Sequence, residues 1–549
     1  MIRVGNISGF YGDRLSAMRE MLDGGEIDVL TGDYLAELTM LILGRQKLKD
    51  PSGGYARTFL KQAQECLGTA LERGVKIVVN AGGLNPAGLA EAVRALGGRV
   101  AHVEGDDLLP RAGELGLTGA LTANAYLGAW GIAACLRGGA DVVVTGRVTD
   151  ASLVVGAAAA HYGWTPSDYD ALAGATVAGH VIECGTQATG GNYSFFTEIP
   201  DLAHAGFPIA EIAADGSSVI TKHAGTGGAV TVETVTAQLL YEIQGTHYLG
   251  PDVTTRFDTI TLTPDGPDRV RISDVRGTPP PPTVKVCVNT LDGFRNSATF
   301  VLTGLDIEPK AALLQSQLGD DVTWTLARTD HENADTEETA SAFLHAVVRT
   351  PDPARAKAFS RAAVELALAS YPGFTLTAPP ADGTPVGVYR PEYVDRAEVP
   401  HTAVHHDGTR EDIPWPAETT AASHPPPGFH PAPATPSTGP HRTVHLGRIV
   451  GARSGDKGGD ANLGVWVREQ RAYPWLSDFL TVERLKELLP ETRPLTVHRH
   501  EFPHLNALNF VIEGILGQGV AASTRFDPQA KGLGEWLRSR HVHVPEALL

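Results

Sequence analysis

The chain contains little cysteine. Its 549 residues include four cysteines, and no two of them form a CxxC pair. This spacing argues against a zinc ribbon and against a disulfide framework. It predicts a protein of a reducing compartment, for which the cytoplasm is the default.

Long apolar runs and positive charge are also scarce. No stretch of about 18 uncharged apolar residues occurs, so no membrane span is expected. The opening residues, MIRVGNISGF, lack the apolar segment of a secretory signal and are typical of a first β-strand. With 45 Lys and Arg against 63 Asp and Glu, the formal net charge is −18, which argues against nucleic acid and anionic membranes as partners. A single Arg or a helix N-terminus can still bind an anionic small molecule.

A Pro-rich stretch divides the sequence. Residues 401–440 are rich in Pro, Ala, Ser and Thr, as is typical of a solvated linker. The whole chain is too long for one hydrophobic core, so the linker predicts two domains. We expect an α/β main domain over residues 1–400 and a small α+β domain over 441–549.

Five β-branched runs in the first 160 residues predict strands. Helical patterns lie between these runs, and the alternation predicts βαβ units and a parallel sheet. From about 215 to 305 the apolar period becomes two, which predicts an antiparallel β section. In the C-terminal domain we expect a Gly-rich loop at 451–460 between two strands. The five parallel strands are predicted to end near Asn6, Leu30, Asn80, Val103 and Thr145.

The stretch VVVTGRVTDASL places Arg147 and Asp150 just after one of these strand ends. Ligands of an open parallel sheet bind outside the carboxyl ends of its strands, so we expect both residues to be catalytic. Arg147 would hold an anionic group through its planar fork, and Asp150 would move a proton. Alternatively, Asp150 caps the next helix and Arg147 pairs with a surface carboxylate.

Three other strand ends, in GNISGFYGDR, TGDYLAEL and NAGGLNP, are candidate substrate-binding loops. Glycines let backbone N–H groups approach a ligand closely. None of these loops matches GxGxxG or GxxxxGK[ST], so no cofactor is expected. For GNISGFYGDR and NAGGLNP the alternative is a tight βα turn. The pair Asp33 and Glu37 could do acid–base work or hold a hard cation, but such a pair is more often a cap and a surface carboxylate. The candidate residues are Asn6, Gly9, Asp33, Asn80, Gly82, Gly83 and Asn85.

The segment HVIECGTQATGGNYS is the densest polar cluster. A carboxylate beside Cys-Gly in a Gly-rich stretch needs a function, so we expect Glu183 to be catalytic. Cys184 with His180 as its base could be a nucleophile, although a lone cysteine is more often a small buried residue. Thr189 and Asn192 are expected to bind substrate. The cluster has no metal-ligand spacing, so no metal is expected.

The segment GARSGDKGGDANLGV crowds charged and amide side chains among glycines. We expect this loop to close over the same pocket, from its own or a neighbouring chain. Its candidate substrate-binding residues are Arg453, Asp456, Lys457 and Asn462.

Together these segments resemble the acyclic terpene utilisation protein A (AtuA) family, formerly listed as a domain of unknown function. The resemblance rests on GNISGFYGDR, VLTGDYLAELTM, VVNAGGLNP, NAYLGAWGI, ADVVVTGRVTDASL, IECGTQATGG and ARSGDKGGDANLGV. It implies that the C-terminal domain is the family's appended ferredoxin-like domain. The family is associated with bacterial breakdown of acyclic terpenes such as citronellol and geraniol, beside enzymes that act on branched acyl-CoA thioesters.

The resemblance and the strand-end residues favour an enzyme of branched-chain acyl or acyl-CoA metabolism. We expect an acid–base lyase or hydratase without a redox cofactor. The alternatives are a hydrolase or acyl transferase that uses Cys184, and a non-catalytic scaffold that binds acyl-CoA or protein. A homo-oligomer is also expected, because residues 121–139 are more apolar than one surface helix requires.

Overall fold

A computed structural model describes residues 1–421 and 439–549. The chain divides into two compact units. The first comprises Met1–Asn289, Tyr389–Val520 and Gln529–Leu549, and the second comprises Thr290–Val388 and Ala521–Pro528. Every candidate site residue lies in the first unit. No helix of the described ranges is long and apolar enough to cross a membrane.

The described strands are β1 (Ile2–Asn6), β2 (Val29–Gly32), β3 (Lys76–Val79), β4 (Val100–Glu104), β5 (Thr122–Ala125), β6 (Val142–Thr145), β7 (Pro208–Ile212), β8 (Ser218–Lys222), β9 (His247–Leu249), β10 (Thr254–Arg256), β11 (Thr261–Pro264), β12 (Val270–Ser273), β13 (Arg276–Thr278), β14 (Thr283–Thr303), β15 (Val322–Ala327), β16 (Ser341–Thr350), β17 (Thr375–Leu376), β18 (Thr384–Asp395), β19 (Thr402–Val404), β20 (Arg410–Asp412), β21 (His441–His445), β22 (Val450–Lys457), β23 (Asp460–Val467), β24 (Val497–Phe502), β25 (Ala507–Ile512) and β26 (His541–Pro545).

The described α-helices are α1 (Ala17–Asp23), α2 (Glu37–Lys49), α3 (Arg57–Glu72), α4 (Pro86–Arg94), α5 (Trp130–Arg137), α6 (Ser152–Tyr162), α7 (Tyr169–Ile182), α8 (Val232–Leu239), α9 (Ile307–Leu318), α10 (Pro353–Glu365), α11 (Tyr473–Phe479), α12 (Val482–Leu488) and α13 (Leu533–Arg538).

The main sheet of the first unit has the strand order β11-β12-β8-β7-β1-β2-β3-β6-β4-β19-β20. Its five central strands, β1, β2, β3, β6 and β4, pair in parallel, which confirms the predicted α/β arrangement. Successive residues of β3 face opposite sides of the sheet. Ile77 and Val79 pack in one apolar cluster with residues of α1, α3 and α4, whereas Val78 packs in another with residues of α5, α6 and α7. Helices on both faces explain why these strands are apolar throughout.

Strands β7, β8, β12 and β11 continue this sheet in antiparallel order, as the change of period predicts. One segment of the predicted β section is instead helical. Residues 232–239 form α8, whose first turn is closed by a capping box between Thr231 and Thr234. The two Thr–backbone hydrogen bonds favour a helix start over the β-branched pattern of the sequence.

In the second unit, β16 pairs antiparallel with β15 and with residues 294–303 of β14. Helices α9 and α10 contribute to the apolar core of this unit, which includes Phe300, Leu314 and Phe359. Residues 353–365 form α10, and a short helical turn follows at Leu366–Leu368.

The C-terminal segment forms a four-stranded antiparallel sheet, β22-β23-β25-β24, with helices α11, α12 and α13 in its core. This is the predicted α+β class. The predicted Gly-rich loop at 451–460 is wrong, because residues 450–457 form β22 and pair with β23 up to Lys457 and Asp460. Its glycines permit close packing. A Cβ on Gly455 would lie 2.5 Å from the Tyr241 ring, and one on Gly464 would lie 2.5 Å from Leu240 Cβ.

Part of the predicted linker belongs to the main sheet. Residues 402–404 form β19, which pairs with β4, and residues 410–412 form β20. Ala403 and Val404 are buried, and this burial explains why the chain continues as a strand past residue 400. Residues 422–438 of the predicted linker lie outside the described residues.

The apolar segment 121–139 is covered within its own unit. It supplies β5, which pairs with residues 286–289 of β14, and the buried helix α5, which packs against α6. Packing within this unit therefore explains why the segment is apolar, without a contact to a neighbouring subunit. The homo-oligomer stays a prediction, and this segment no longer supports it.

Candidate active site

The carboxyl ends of β2 and β3 are joined by a network of buried amide and carboxylate groups. The side-chain Oδ1 of Asn80 accepts the N–H of Tyr34 at 2.7 Å. Its Nδ2 donates to Asp33 Oδ1 at 2.5 Å, and the N–H of Leu35 donates to the same oxygen at 3.1 Å. Asp33 and Asn80 thus meet at one edge of the sheet, as their strand-end positions predict.

Arg147 follows β6 and is almost completely buried, with 2% of its surface exposed. Its Nη1 donates to Asp150 Oδ1 at 2.6 Å and to the carbonyl of Leu35 at 3.4 Å. Its Cζ lies 4.3 Å from the Tyr126 ring centroid, and its backbone N–H donates to Asp106 Oδ2 at 2.9 Å. The guanidinium therefore has an internal carboxylate partner, whereas the sequence predicts that it would hold an anionic ligand.

His180 and Glu183 stand three residues apart at the end of α7, where one helical turn brings them to the same side. Nδ1 of His180 lies 3.0 Å from Glu183 Oε1. The His180 ring packs 5.5 Å from the ring centroids of Tyr248 and Phe257. Within the described structure, His180 Nε2 and Glu183 Oε2 are buried without a hydrogen-bond partner. A ligand could supply that partner, because buried polar atoms are normally paired.

Burial and the mutual repulsion of negative charges raise the pKa values of the carboxyl groups at this site. Burial and the charge of Asp150 raise the pKa of Glu183 well above its ordinary value. Burial also raises the pKa of Asp150, but the adjacent Arg147 opposes the rise. Burial and the charge of Lys457 lower the pKa of His180 to about 4, so its imidazole is neutral at neutral pH. Burial thus favours the protonated form of both carboxyl groups, and of the two only Asp150 forms an ion pair with Arg147 in the described structure.

Cys184 lies in an environment that disfavours a thiolate. Burial and the charge of Glu183 raise the pKa of its thiol well above the ordinary value. His180, its predicted base, is hydrogen-bonded to Glu183 instead. A nucleophilic cysteine needs a lowered pKa or an adjacent base, so this geometry argues against the hydrolase alternative.

Lys285 is a site residue that the sequence predictions missed. It lies on β14, 3.6 Å from Glu37 Oε1, and its Nζ is 4.6 Å from the Tyr126 ring centroid and 5.8 Å from that of Tyr389. Burial would raise the pKa of Glu37, but the charges of Lys285 and Arg147 lower it. The available signal was the alternation in TVKVCVN, where polar Lys285 shares one face of a strand with the buried Cys287.

The C-terminal segment contributes charges to the same site. Arg453 hydrogen-bonds Gln187 Oε1 and stacks 4.4 Å from the Tyr241 ring centroid. Burial and the charge of Glu242 raise the pKa of Asp456 to about 6. Lys457 acts electrostatically on His180, Glu183 and Lys285. These three residues lie on the β22–β23 hairpin and not on a flexible loop, and Lys457 is close enough to His180 and Glu183 for its charge to affect them.

Asn462 holds β23 against the segment that contains Leu240 and Glu242. Its Oδ1 accepts the N–H of Glu242 at 2.8 Å, and its Nδ2 donates to the carbonyl of Leu240 at 3.0 Å. These bonds fix β23 against the segment that carries Glu242, so Asn462 acts indirectly on the site.

Several predicted binding residues have structural roles. Gly82 packs against Thr145, whose carbonyl would lie 2.5 Å from an added Cβ, and Gly83 adopts a positive φ of 52°. Asn85 caps α4 by accepting the N–H of Gly88 at 3.0 Å. The Thr189 hydroxyl donates to the Gly206 carbonyl at 2.7 Å.

The three remaining candidates, Asn6, Gly9 and Asn192, make contacts that involve backbone atoms. Asn6 and Gly9 contact the backbone of residues 183–184, and Asn192 accepts a hydrogen bond through its own carbonyl. The Asn6 side chain donates to the Glu183 carbonyl at 3.4 Å. Gly9 adjoins the Cys184 backbone, which would lie 2.6 Å from an added Cβ. The carbonyl of exposed Asn192 accepts from Arg453 at 3.4 Å. Asn6 and Gly9 therefore position the Glu183–Cys184 segment.

No group of three or more His, Cys, Asp or Glu side chains in the described ranges is arranged to hold a metal ion. The sequence does contain HEFPH at 500–504, which matches the HExxH pattern of zinc proteases. That pattern requires a helix, but residues 497–502 form β24, and His504 contacts the Phe257 carbonyl at 3.0 Å. The two histidines therefore do not share a helix face.

A surface cleft of about 330 Å³ lies at the amino ends of the central strands, the opposite edge from the acid cluster. Its lining includes Lys76, which pairs with Asp141 at 2.8 Å, and Arg137, which donates to the carbonyls of Ala159 and Trp164. These charged groups already have protein partners, so the strand-end cluster is the better candidate site.

Two family models match the chain. The model of the acyclic terpene utilisation family protein AtuA matches residues 2–405, and that of the AtuA ferredoxin-like domain matches residues 444–543. The chain belongs to the AtuA family. The first match includes the strand ends that carry Asp33, Asn80, Arg147 and Glu183, and the second includes the β22–β23 hairpin with Lys457. No curated protein and no solved structure matches this AtuA-family chain.

Proposed function

We propose that this AtuA-family protein is an enzyme of branched-chain acyl or acyl-CoA metabolism of the acyclic terpene type. Its chemistry would be acid–base catalysis of a lyase or hydratase reaction without a redox cofactor. Family membership supports the substrate class. The environment of the buried carboxyl groups supports the reaction class.

The observation that carries the proposal is the contrast between Glu183 and Asp150. One carboxylate oxygen of Glu183 lies 3.0 Å from His180 Nδ1, and the other is buried without a hydrogen-bond partner among the described residues. The pKa of this carboxyl group is raised. Asp150 has an Arg147 guanidinium at 2.6 Å, which favours its charged form. Acid–base enzymes need one group that holds a proton and one that takes a proton at the same pH.

The proposed dehydration assigns one proton to each carboxyl group. Asp150 takes a proton from the carbon beside the thioester carbonyl, and the electron pair of that C–H bond becomes the new double bond. The C–O bond to the hydroxyl on the next carbon breaks as Glu183 donates its proton, and water leaves. Hydration is the reverse. Arg147 positions Asp150, and His180 orients the Glu183 carboxyl.

The test is an exchange and addition assay on the full-length protein. The probe is 3-methylcrotonyl-CoA in deuterium oxide, followed by mass spectrometry. A hydratase adds the elements of D2O, so the addition itself places one deuterium on the carbon beside the carbonyl and a deuteroxyl group on the next carbon. Geranyl-CoA, which has the same branched enoyl end on a longer chain, is the second probe.

Two variants form the matched comparison. Glu183→Gln should abolish addition. Glu211→Gln, which changes another buried glutamate that pairs with Arg3 and Arg269, should retain it. Release of free CoA thiol would instead indicate a hydrolase. Binding of both probes with neither addition nor exchange would indicate a scaffold, and either result would reject the proposal.

A further inference from the structure

The cations of the site differ in how well they are neutralised. Arg147 has Asp150 at 2.6 Å, and Lys531 has Glu242 at 3.5 Å and Asp456 at 3.6 Å. Among the described residues, the carboxylate nearest to Lys285 is that of Glu37 at 3.6 Å, and its Oε1 also accepts the Tyr126 hydroxyl at 2.7 Å. Lys457 has no carboxylate oxygen within 4.0 Å among the described residues.

Tyr389 lies near Lys285 and packs against the hairpin turn that follows Lys457. Nζ of Lys285 lies 5.8 Å from its ring centroid. Gly458, the neighbour of Lys457 at the hairpin turn, packs so closely on the same ring that an added Cβ would lie 2.9 Å from it. The like charges of the two lysines interact, and the charge of Lys457 contributes, after burial, to lowering the pKa of Lys285.

This pair of lysines adjoins the proposed reaction centre. Lys285 Nζ and Arg147 Cζ lie 4.6 Å and 4.3 Å from the same Tyr126 centroid, so the two cations are less than about 9 Å apart. Lys457 also acts electrostatically on Glu183. Lys285 retains 27% of its side-chain surface exposed, which leaves it accessible to a small ligand.

We propose that Lys285 and Lys457 form an anion-binding subsite that takes a carboxylate carried by the acyl part of the substrate. Two like charges carried by elements that pack on one ring repel each other, and an anion bound by both would remove that repulsion. The inference rests on the proposed function only in assuming an acyl substrate at this site. It narrows the substrate class to branched acyl groups with a second, free carboxylate.

A phosphate of CoA offers the same anionic chemistry, but the position of the lysines favours a carboxylate. The pantetheine arm keeps the CoA phosphates many bonds from the thioester carbon. The lysines adjoin the residues proposed to act on that carbon, so the acyl chain is the nearer source of negative charge.

The experiment measures equilibrium binding to the full-length protein by calorimetry. The probes are 3-methylglutarate and its monomethyl ester, which has nearly the same size and one charge less. We expect the dianion to bind about tenfold or more tightly than the ester. Lys285→Met and Lys457→Met should each reduce this ratio towards one, whereas Lys285→Arg should preserve much of it.

Three controls separate this inference from its alternatives. Lys76→Met, at the opposite edge of the sheet, should leave the ratio unchanged. Glu183→Gln should also leave it unchanged, so loss of catalysis is distinguishable from loss of the subsite. Coenzyme A should bind Lys457→Met as well as the unaltered protein. Equal binding of the two probes, no binding of either, or lysine-dependent binding of coenzyme A alone would overturn the carboxylate subsite.

Discussion

His180 Nδ1 lies 3.0 Å from Glu183 Oε1 across the C-terminal turn of α7, with both side chains at least nine-tenths buried. The opposite atoms, His180 Nε2 and Glu183 Oε2, have no hydrogen-bond partner in the described part of the chain. Each such buried atom costs about 1–3 kcal/mol. A ligand that hydrogen-bonded to these two atoms would remove this cost, so we expect Glu183 to contact the substrate.

Glu183→Gln keeps the size of the side chain and removes its titratable proton. We expect kcat for the hydration of 3-methylcrotonyl-CoA to fall by about 10²-fold or more, with little change in KM. Steady-state kinetics measures both constants, and circular dichroism checks that the variant folds. Unchanged turnover would exclude Glu183 as the group that exchanges a proton with the water oxygen.

Arg147 should act through the pKa of Asp150. The charge of Arg147 lowers the pKa of Asp150, whereas burial raises it, so Arg147→Gln should raise the pKa of Asp150 further. The acidic limb of the kcat/KM profile for dehydration, in which Asp150 is the base, should then move to higher pH by about one unit or more. Arg147→Lys retains a positive charge and should shift the limb less. A uniform loss of rate at every pH would show that Arg147 has only a structural role.

Cys184→Ala should retain activity within about threefold, because the buried thiol beside Glu183 has a raised pKa and forms no thiolate at neutral pH. The variant also leaves the Gly9 contact intact, since that contact is to the Cys184 backbone. Iodoacetamide should label this cysteine slowly, as followed by peptide mass spectrometry. A loss of about 10³-fold in kcat would support the nucleophile alternative instead.

Asp106 should make stability depend on pH. Burial raises its pKa from 3.8 to about 7, so the folded protein keeps this proton over a range where the unfolded chain has lost it. Between these values the folded state binds more protons, and the free energy of unfolding falls as pH rises, by up to about 1.4 kcal/mol per pH unit. Asp106→Asn preserves an oxygen for the N–H of Arg147 and the amide of Asn124.

Urea denaturation at pH 5 and pH 8 tests this prediction. The unaltered protein should lose more stability than Asp106→Asn between these two conditions. Equal losses in both proteins would mean that Asp106 does not titrate in this range.

Much of the architecture follows from local pattern. Short β-branched runs between helical segments predict the five parallel strands, and all five end near the expected residues. The capping of α8 shows the limit of this reasoning, because VTVETVTAQLL has the composition of a strand. Two hydrogen bonds between Thr231 and Thr234 nevertheless start a helix there.

By itself, the sequence determined the α/β class, the two family segments and the position of Asp33, Asn80, Arg147 and Asp150 at strand ends. These depend on periodicity and on the rule that parallel strands end at one edge. Only the tertiary structure decided that Arg147 pairs with Asp150, that His180 is hydrogen-bonded to Glu183, and that Lys285 and Gly458 lie at the same ring. Such contacts join residues as far apart in sequence as Lys285 and Tyr389, and side-chain packing decides them because no local pattern encodes which distant groups will meet.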